Sequence, residues 1–321
     1  MEAEKMSAKG KIKILIAGLI ISILAFMCYN MGPNLDYVIP TRLIRLSTML
    51  VVAVSIAYSS VIFQTLTNNR ILTPSIMGYE AVFILFQTCI VFTYGDKTFQ
   101  VISDTTNFFI SVVLMIVFSL FLYLIIFKRG RNNLFHLLLT GLVLGTLFET
   151  MSRFMQILID PNEFTMIYTH LFASFDKMNT PLLLVSTIVL AVTLIIGGYY
   201  VKYLDILALG REQAINLGLD YHQLVRIFMI IISILVSVST ALVGPITFLG
   251  ILVTNLTYQL LKTTKHSLTI IGCCILSSIV VISGQFITEH VFNFSTEISI
   301  IINFIGGIYF LYLILKSRRK V

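Results

Sequence analysis

The sequence predicts an all-α integral membrane protein with about ten transmembrane helices, built as a single transmembrane domain over residues 1–321. Three observations carry this. First, 57% of the residues are hydrophobic, 12% are charged and the mean hydropathy is +0.96, more apolar surface than a chain of this length can hide from water. Second, ten apolar runs approach the roughly 20 residues that a hydrocarbon core of about 30 Å requires. In lipid their backbone groups must be satisfied internally, so the runs are helices. Third, the basic residues collect on one side of the connections between the runs.

The ten spans are 12–31, 46–66, 74–94, 107–127, 134–159, 180–201, 222–243, 245–262, 267–288 and 298–316. Span 1 follows a basic stretch, "KGKIKILIAGLIISILAFMC". It is long enough to cross and has no small-residue cleavage site, so it is expected to be an uncleaved first helix. Met27 before Cys28 argues against a lipoprotein site. Span 2 carries Arg42 and Arg45 at its outer end, three apart and therefore on one helical face. Span 3 is entered through Pro74 and Gly78, with Glu80 just after them expected near its cytoplasmic end. Span 5 contains Glu149 and Arg153 at i,i+4, close enough to neutralise each other along the helix. As ionisable groups inside a membrane they form either a structural pair or part of a pathway. Spans 7 and 8 meet at Gly244-Pro245, as a tight outer turn or as a re-entrant bend. Asn255 in span 8 and Asn303 in span 10, the latter beside Gly306 and Gly307, are further polar candidates for a pathway or a close helix contact. Cys28, Cys89, Cys273 and Cys274 fall inside spans without CxxC spacing, so they are expected to be small buried apolar residues. No metal or cofactor site is expected.

Of the 22 basic residues, Arg42, Arg45, Lys97 and Lys177 lie on one side and Arg153 lies within span 5; all the others share the opposite side. The positive-inside rule makes that richer side cytoplasmic, with both termini there. The formal net charge of +7 then sits against anionic lipid headgroups and calls for no nucleic acid.

The longest cytoplasmic connection, residues 202–221, stands out by being polar. "YLDILAL" has apolar positions at helical spacing, Gly210 interrupts it, and "REQAINL" leads to Gly218, a natural helix stop. This predicts two short helices meeting at a glycine bend. Helices below about 12–15 residues are marginal alone in water and need a surface. That surface is either the headgroup layer or a groove in a cytoplasmic protein.

The stretch "LDILALGREQAINLGLDYHQLVR" resembles the coupling loop of the FecCD-type permeases, the BtuC-like membrane subunits of type II ABC importers for iron-siderophores, haem and cobalamin. "RLIRLSTMLVVAVSIAYSSVIFQTLTNNRILTPSIMGYEA" (42–81), "TGLVLGTLFETM", "STALVGPITFLGILVTNLTYQLL" and "IGGIYFLYLILK" resemble further motifs of that family, in the same order. The resemblance implies a BtuC-like fold in a bacterial cytoplasmic membrane. It implies transport of an iron-siderophore complex, with haem or cobalamin as alternatives, powered by a separate ATP-binding cassette dimer that binds the ATP and Mg. The other implied partners are a second permease subunit, self or paralogue, and an extracytoplasmic siderophore-binding lipoprotein. On this resemblance Leu204, Leu207, Leu209, Gly210, Arg211, Glu212, Ala214, Leu217 and Gly218 couple to the ATPase, and Arg42 and Arg45 dock the binding protein. Span 5 then borders the translocation channel. The chain departs from the family at Thr254-Asn255, where Pro-His is usual, and at Glu289-His290, where some relatives carry an outer basic residue.

Other functions fit the residues less well. An ion-coupled secondary transporter needs a network of buried carboxylates or histidines, and Glu80, Glu149 and Arg153 make a thin relay. The sequence contains no GxxxxGK[ST], HExxH or GxSxG motif, so the chain is expected to be a transport subunit and not an enzyme.

Overall fold

A computed structural model describes residues 7–30, 34–127, 134–175 and 179–318. The regular elements among these residues are all helical: α1 (Ala8–Cys28), α2 (Leu35–Leu66), α3 (Tyr79–Tyr94), α4 (Thr98–Val101), α5 (Asp104–Phe127), α6 (Leu134–Leu158), α7 (Pro161–Leu171), α8 (Thr180–Leu207), α9 (Arg211–Asn216), α10 (Tyr221–Val243), α11 (Leu249–Leu261), α12 (His266–His290) and α13 (Ile298–Arg318), with short 3₁₀ turns at Pro74–Met77 and Gly95–Lys97. Among the described residues, seven helices are long and apolar enough to cross a membrane, and three shorter apolar ones, within α3, α11 and α13, complete the expected ten. Lys5, Lys128, Arg129, Arg131, Lys177, Arg319 and Lys320, seven of the charges used for orientation, lie outside the described residues.

The centre of the bundle is α2 and α10. α2 packs on α12, α10, α11 and α8; α10 packs on α5 and α8; α3 is sandwiched by α5, α6 and α7; and α1 lies at the edge against α12. The middle of α2 is rich in small residues, Ala53, Ser55, Ala57, Ser59 and Ser60, all buried, which lets neighbouring backbones approach where lipid provides no hydrophobic drive between helices. Ser55 Oγ donates to the Val51 carbonyl and Ser59 Oγ to Ile56. The hydroxyls are thereby satisfied within their own helix.

Several boundaries differ from the sequence expectation, each for a local reason. α2 begins at Leu35, well before residue 46, and holds Pro40 inside it. Arg42 and Arg45 therefore lie within the helix, beyond its first turn. α8 continues without a break to Leu207, so "LDILAL" is the end of a long helix and not a separate short one. Only α9, six residues long, is an isolated helix in the loop. α7 was not foreseen, because residues 160–171 are too polar for a span; its start signals are Asp160, whose side chain accepts from Asn162 N, and Pro161 at the first position. Ile167, Phe164 and Leu171 of α7 pack with Val91 of α3. Cys28 is exposed, Cys273 is buried, Cys89 and Cys274 are half-buried, and all four are free thiols.

The largest departure is that two of the spans begin inside the bundle. Span 3 is interrupted after its 3₁₀ turn by Gly78, with φ +87°. A side-chain carbon at Gly78 would meet Gly145 Cα at 3.0 Å and Gly141 O at 3.2 Å. Gly145 is near the middle of α6, so α3 starts halfway along the bundle. Similarly, the chain folds back after α10 through Gly244 (φ +99°), and α11 begins only at Leu249. With 13 residues, α11 is about 20 Å long, short of a full crossing. The re-entrant alternative thus describes residues 244–248, while the ten apolar helices stand. Glu80 sits where these two interrupted elements meet: Thr247 Oγ1 donates to Glu80 Oε2 at 2.6 Å. Glu80 is therefore not at the cytoplasmic end of span 3. Close approach of glycines far apart in sequence carries it inward.

Candidate functional site

The foot of the molecule is the end of α8, the turn at Ala208–Gly210, and α9. It has two faces. Leu204, Leu207 and Ala214 are buried against the bundle, while Leu209 is 58% exposed and Leu217 61% exposed. Ile215 is also exposed, and Arg211 and Glu212 project into the same open surface. Gly210 (φ +99°) and Gly218 (φ +82°) make the two reversals that bracket α9, in a backbone region that other residues rarely adopt. Asp220 caps α10 by accepting from Gln223 N at 3.0 Å. The inward apolar set anchors a six-residue helix that could not persist alone; the outward set is exposed among the described residues.

One foot contact had no signal in the sequence. Asp205 Oδ1 accepts from the backbone N–H of His266 at 2.8 Å and lies 2.6 Å from His266 Nδ1. The pair joins the last turn of α8 to the first residue of α12, 61 residues later.

At the opposite end, the two arginines are held by the fold. Arg42 Nη1 donates to the carbonyls of Phe26, Met27 and Tyr29, each at 2.9 Å, and Nη2 to Asn30 O at 3.3 Å. These are the open carbonyls at the C-terminus of α1, where a cation is favoured. Arg45 Nη1 pairs with Glu289 Oε1 at 3.1 Å, and its guanidinium lies over the Phe294 ring. Glu289 is thus the local partner of Arg45. Both arginines line a cavity of about 450 Å³ together with Tyr29, Tyr37, His290 and Asn293. The sequence placed the arginines on one face, which the cavity bears out, but it did not reveal their partners.

The remaining polar candidates are dispersed. Glu149 and Arg153 form the expected i,i+4 pair at 2.5 Å, with side chains 50% and 73% exposed, on the outer face of α6 beside the apolar Phe154 and Ile157. Asn303 Oδ1 accepts from Phe248 N at 3.3 Å and so caps the re-entrant start of α11. Asn255 is buried; its amide donates to Arg70 O at 2.8 Å and Ile251 O at 3.0 Å, tying the α2–α3 connection to α11. Beside it, Thr254 Oγ1 donates to Gly250 O and receives Gln64 Nε2 at 2.8 Å. The Asn255 and Thr254 bonds take up the polar groups that stand where Pro-His is usual.

The bundle, with two interrupted spans, a two-sided foot and a cavity at the far end, defines a polytopic helical transport protein. A solved structure of a metal-chelate type ABC transporter in an inward-facing conformation superimposes with a TM-score of 0.82, covering 97% of this chain and 100% of that one at 20% identity; this likeness speaks for the fold. The chain belongs to the FecCD transport family, which it matches over residues 7–316. It is 50% identical over 315 residues to the petrobactin import system permease protein YclO of Bacillus subtilis, covering 98% of this chain and 100% of the relative. It is 33% identical to the petrobactin import system permease protein FatC of Bacillus anthracis, covering 89% and 81% of the two chains.

Proposed function

We propose that this chain is the membrane permease of an ATP-driven importer that carries a ferric siderophore across a bacterial cytoplasmic membrane. The relatives' names put petrobactin-type iron chelates first among the cargoes. The observation that carries the mechanism is the two-sided foot. Leu204, Leu207 and Ala214 hold it to the bundle, and Leu209, Arg211, Glu212, Ile215 and Leu217 form an exposed apolar and charged surface among the described residues. An ATPase subunit gripping that surface would move the foot when nucleotide closes the ATPase pair, and the binding energy of the closed state is what shifts the permease between access states. ATP and Mg belong to that subunit; this chain supplies leverage and a path.

The path lies between this chain and a second permease, a copy or a paralogue. Glu149 and Arg153 on the outer face of α6 are its candidate polar lining, while Asn255 and Asn303 shape it indirectly by holding the α2–α3 connection and the start of α11. A binding protein delivers cargo at the end that carries Arg42 and Arg45. The pronounced charge asymmetry supports a cytoplasmic foot and an outer arginine cavity.

The test is purification with a cognate ATPase and binding protein, followed by uptake of ferric chelates into vesicles. Deleting residues 211–217, or Gly210→Pro, should abolish co-purification of the ATPase. Reversing both Arg42 and Arg45 should weaken binding-protein docking and leave ATPase assembly intact. Uptake driven by an ion gradient with no ATPase present would overturn the reading.

A further inference from the structure

α12 is pinned by an acidic side chain at each end. At the foot, Asp205 reaches from the last turn of α8 to both the backbone N–H and the ring of His266. The residue preceding α12, Lys265, makes no side-chain cap, so Asp205 is the cap of α12, supplied from another helix. At the far end, Glu289 in the last turn of α12 accepts from Arg45 Nη1 of α2 and from Gln285 Nε2, both at 3.1 Å. The Glu289 side chain is only 7% exposed.

Between these joints α12 is one uninterrupted helix of 25 residues, about 37 Å long. It packs along α2 and against α1 and α11. Gly272 and Gly284 are buried in this packing. A continuous helix held at both ends transmits a displacement as a unit, since packed helices shift or rotate as bodies more readily than they bend. α3 and α11, by contrast, are interrupted inside the bundle and cannot serve as through-going rods.

We infer that Asp205 and Glu289 are positioning residues that make α12 the strut between the foot and the arginine-lined end, so that foot movement and binding-protein docking are read by each other through this helix. The inference rests on residues 202–221 being the ATPase foot. Reciprocity follows from linkage: if docking at one end biases the foot, the foot biases docking by the same factor.

The test uses the permease with its ATPase in vesicles, and measures how far cargo-loaded binding protein raises ATP hydrolysis, normalised to the amount of ATPase assembled. Asp205→Ala at one end and Glu289→Gln at the other should each reduce that rise at least about five-fold. The double variant should be no worse than the more affected single, because breaking either joint already disconnects the strut. Asp205→Asn, which keeps an acceptor for the His266 N–H, should recover part of the rise. Glu289→Asp, which keeps a carboxylate for Arg45 and leaves Arg45 itself untouched, should do the same at the other end and covers the case in which Glu289→Gln folds poorly. A full rise in both singles, a loss that follows only from missing ATPase, or losses that multiply in the double variant would overturn the strut. A wild-type chain that binds no ATPase would overturn the foot reading itself, a distinct outcome.

Discussion

Replacing Arg42 separates its structural role from its docking role. The guanidinium donates to four carbonyls at the end of α1. A hydrogen bond from a charged group contributes about 1.5–3 kcal/mol net when sheltered, and of the four only those to Phe26 and Met27 are partly buried. All four share one side chain, whose rotamer freedom costs about 2 kcal/mol to restrict. Arg42→Ala should therefore destabilise the fold by about 2 kcal/mol, including the lost attraction to the α1 C-terminus. At this chain length each kcal/mol moves the melting midpoint by roughly 1–2 °C, so a fall of about 3 °C is expected. Arg42→Lys, a point charge without the planar fork, should recover about half. The assay is thermal unfolding in detergent followed by circular dichroism, since the chain has no tryptophan. If Arg42→Ala melts with the wild type while binding-protein affinity falls, the carbonyl contacts contribute nothing and the reasoning fails.

Four further outcomes follow from the packing. Gly145→Ala should destabilise by about 1–2 kcal/mol, since its new carbon would lie 3.0 Å from Gly78 Cα and crowding outweighs the helix preference of about 1 kcal/mol for Ala over Gly. Gly198→Ala, with nothing within 4 Å, should stabilise α8 by up to about 1 kcal/mol; equal shifts in the two melting curves would contradict the glycine seam. Asn303→Ala leaves the Phe248 N–H without its acceptor and should cost about 1 kcal/mol, visible as faster amide exchange at the start of α11. Exposed i,i+4 pairs contribute only about 0.3–0.5 kcal/mol, so Glu149→Gln with Arg153→Gln should barely move the melting curve yet alter uptake if the pair lines the path; unchanged uptake would assign it to the lipid or subunit face.

The sequence alone determined the class, the number of apolar helices, the location of the foot and the i,i+4 pair of Glu149 with Arg153. Each of these depends on residues close together in the chain: twenty apolar positions in a row, two glycines bracketing "REQAINL", a spacing of four. Where a feature depends on one stretch, local periodicity and charge suffice to read it.

Tertiary structure alone decided that α3 and α11 start inside the bundle, that Glu80 meets Thr247, that Arg45 is paired by Glu289, and that Asp205 caps α12. Every one of these joins residues separated by tens to hundreds of positions, 244 in the case of Arg45 and Glu289. The apolar run around residues 74–94 reads the same whether or not glycines on α6 let its beginning rise into the membrane. In a bilayer the hydrophobic requirement is met by almost any helix that spans, so it cannot choose which helices touch; close backbone contact and satisfaction of the few polar groups make that choice.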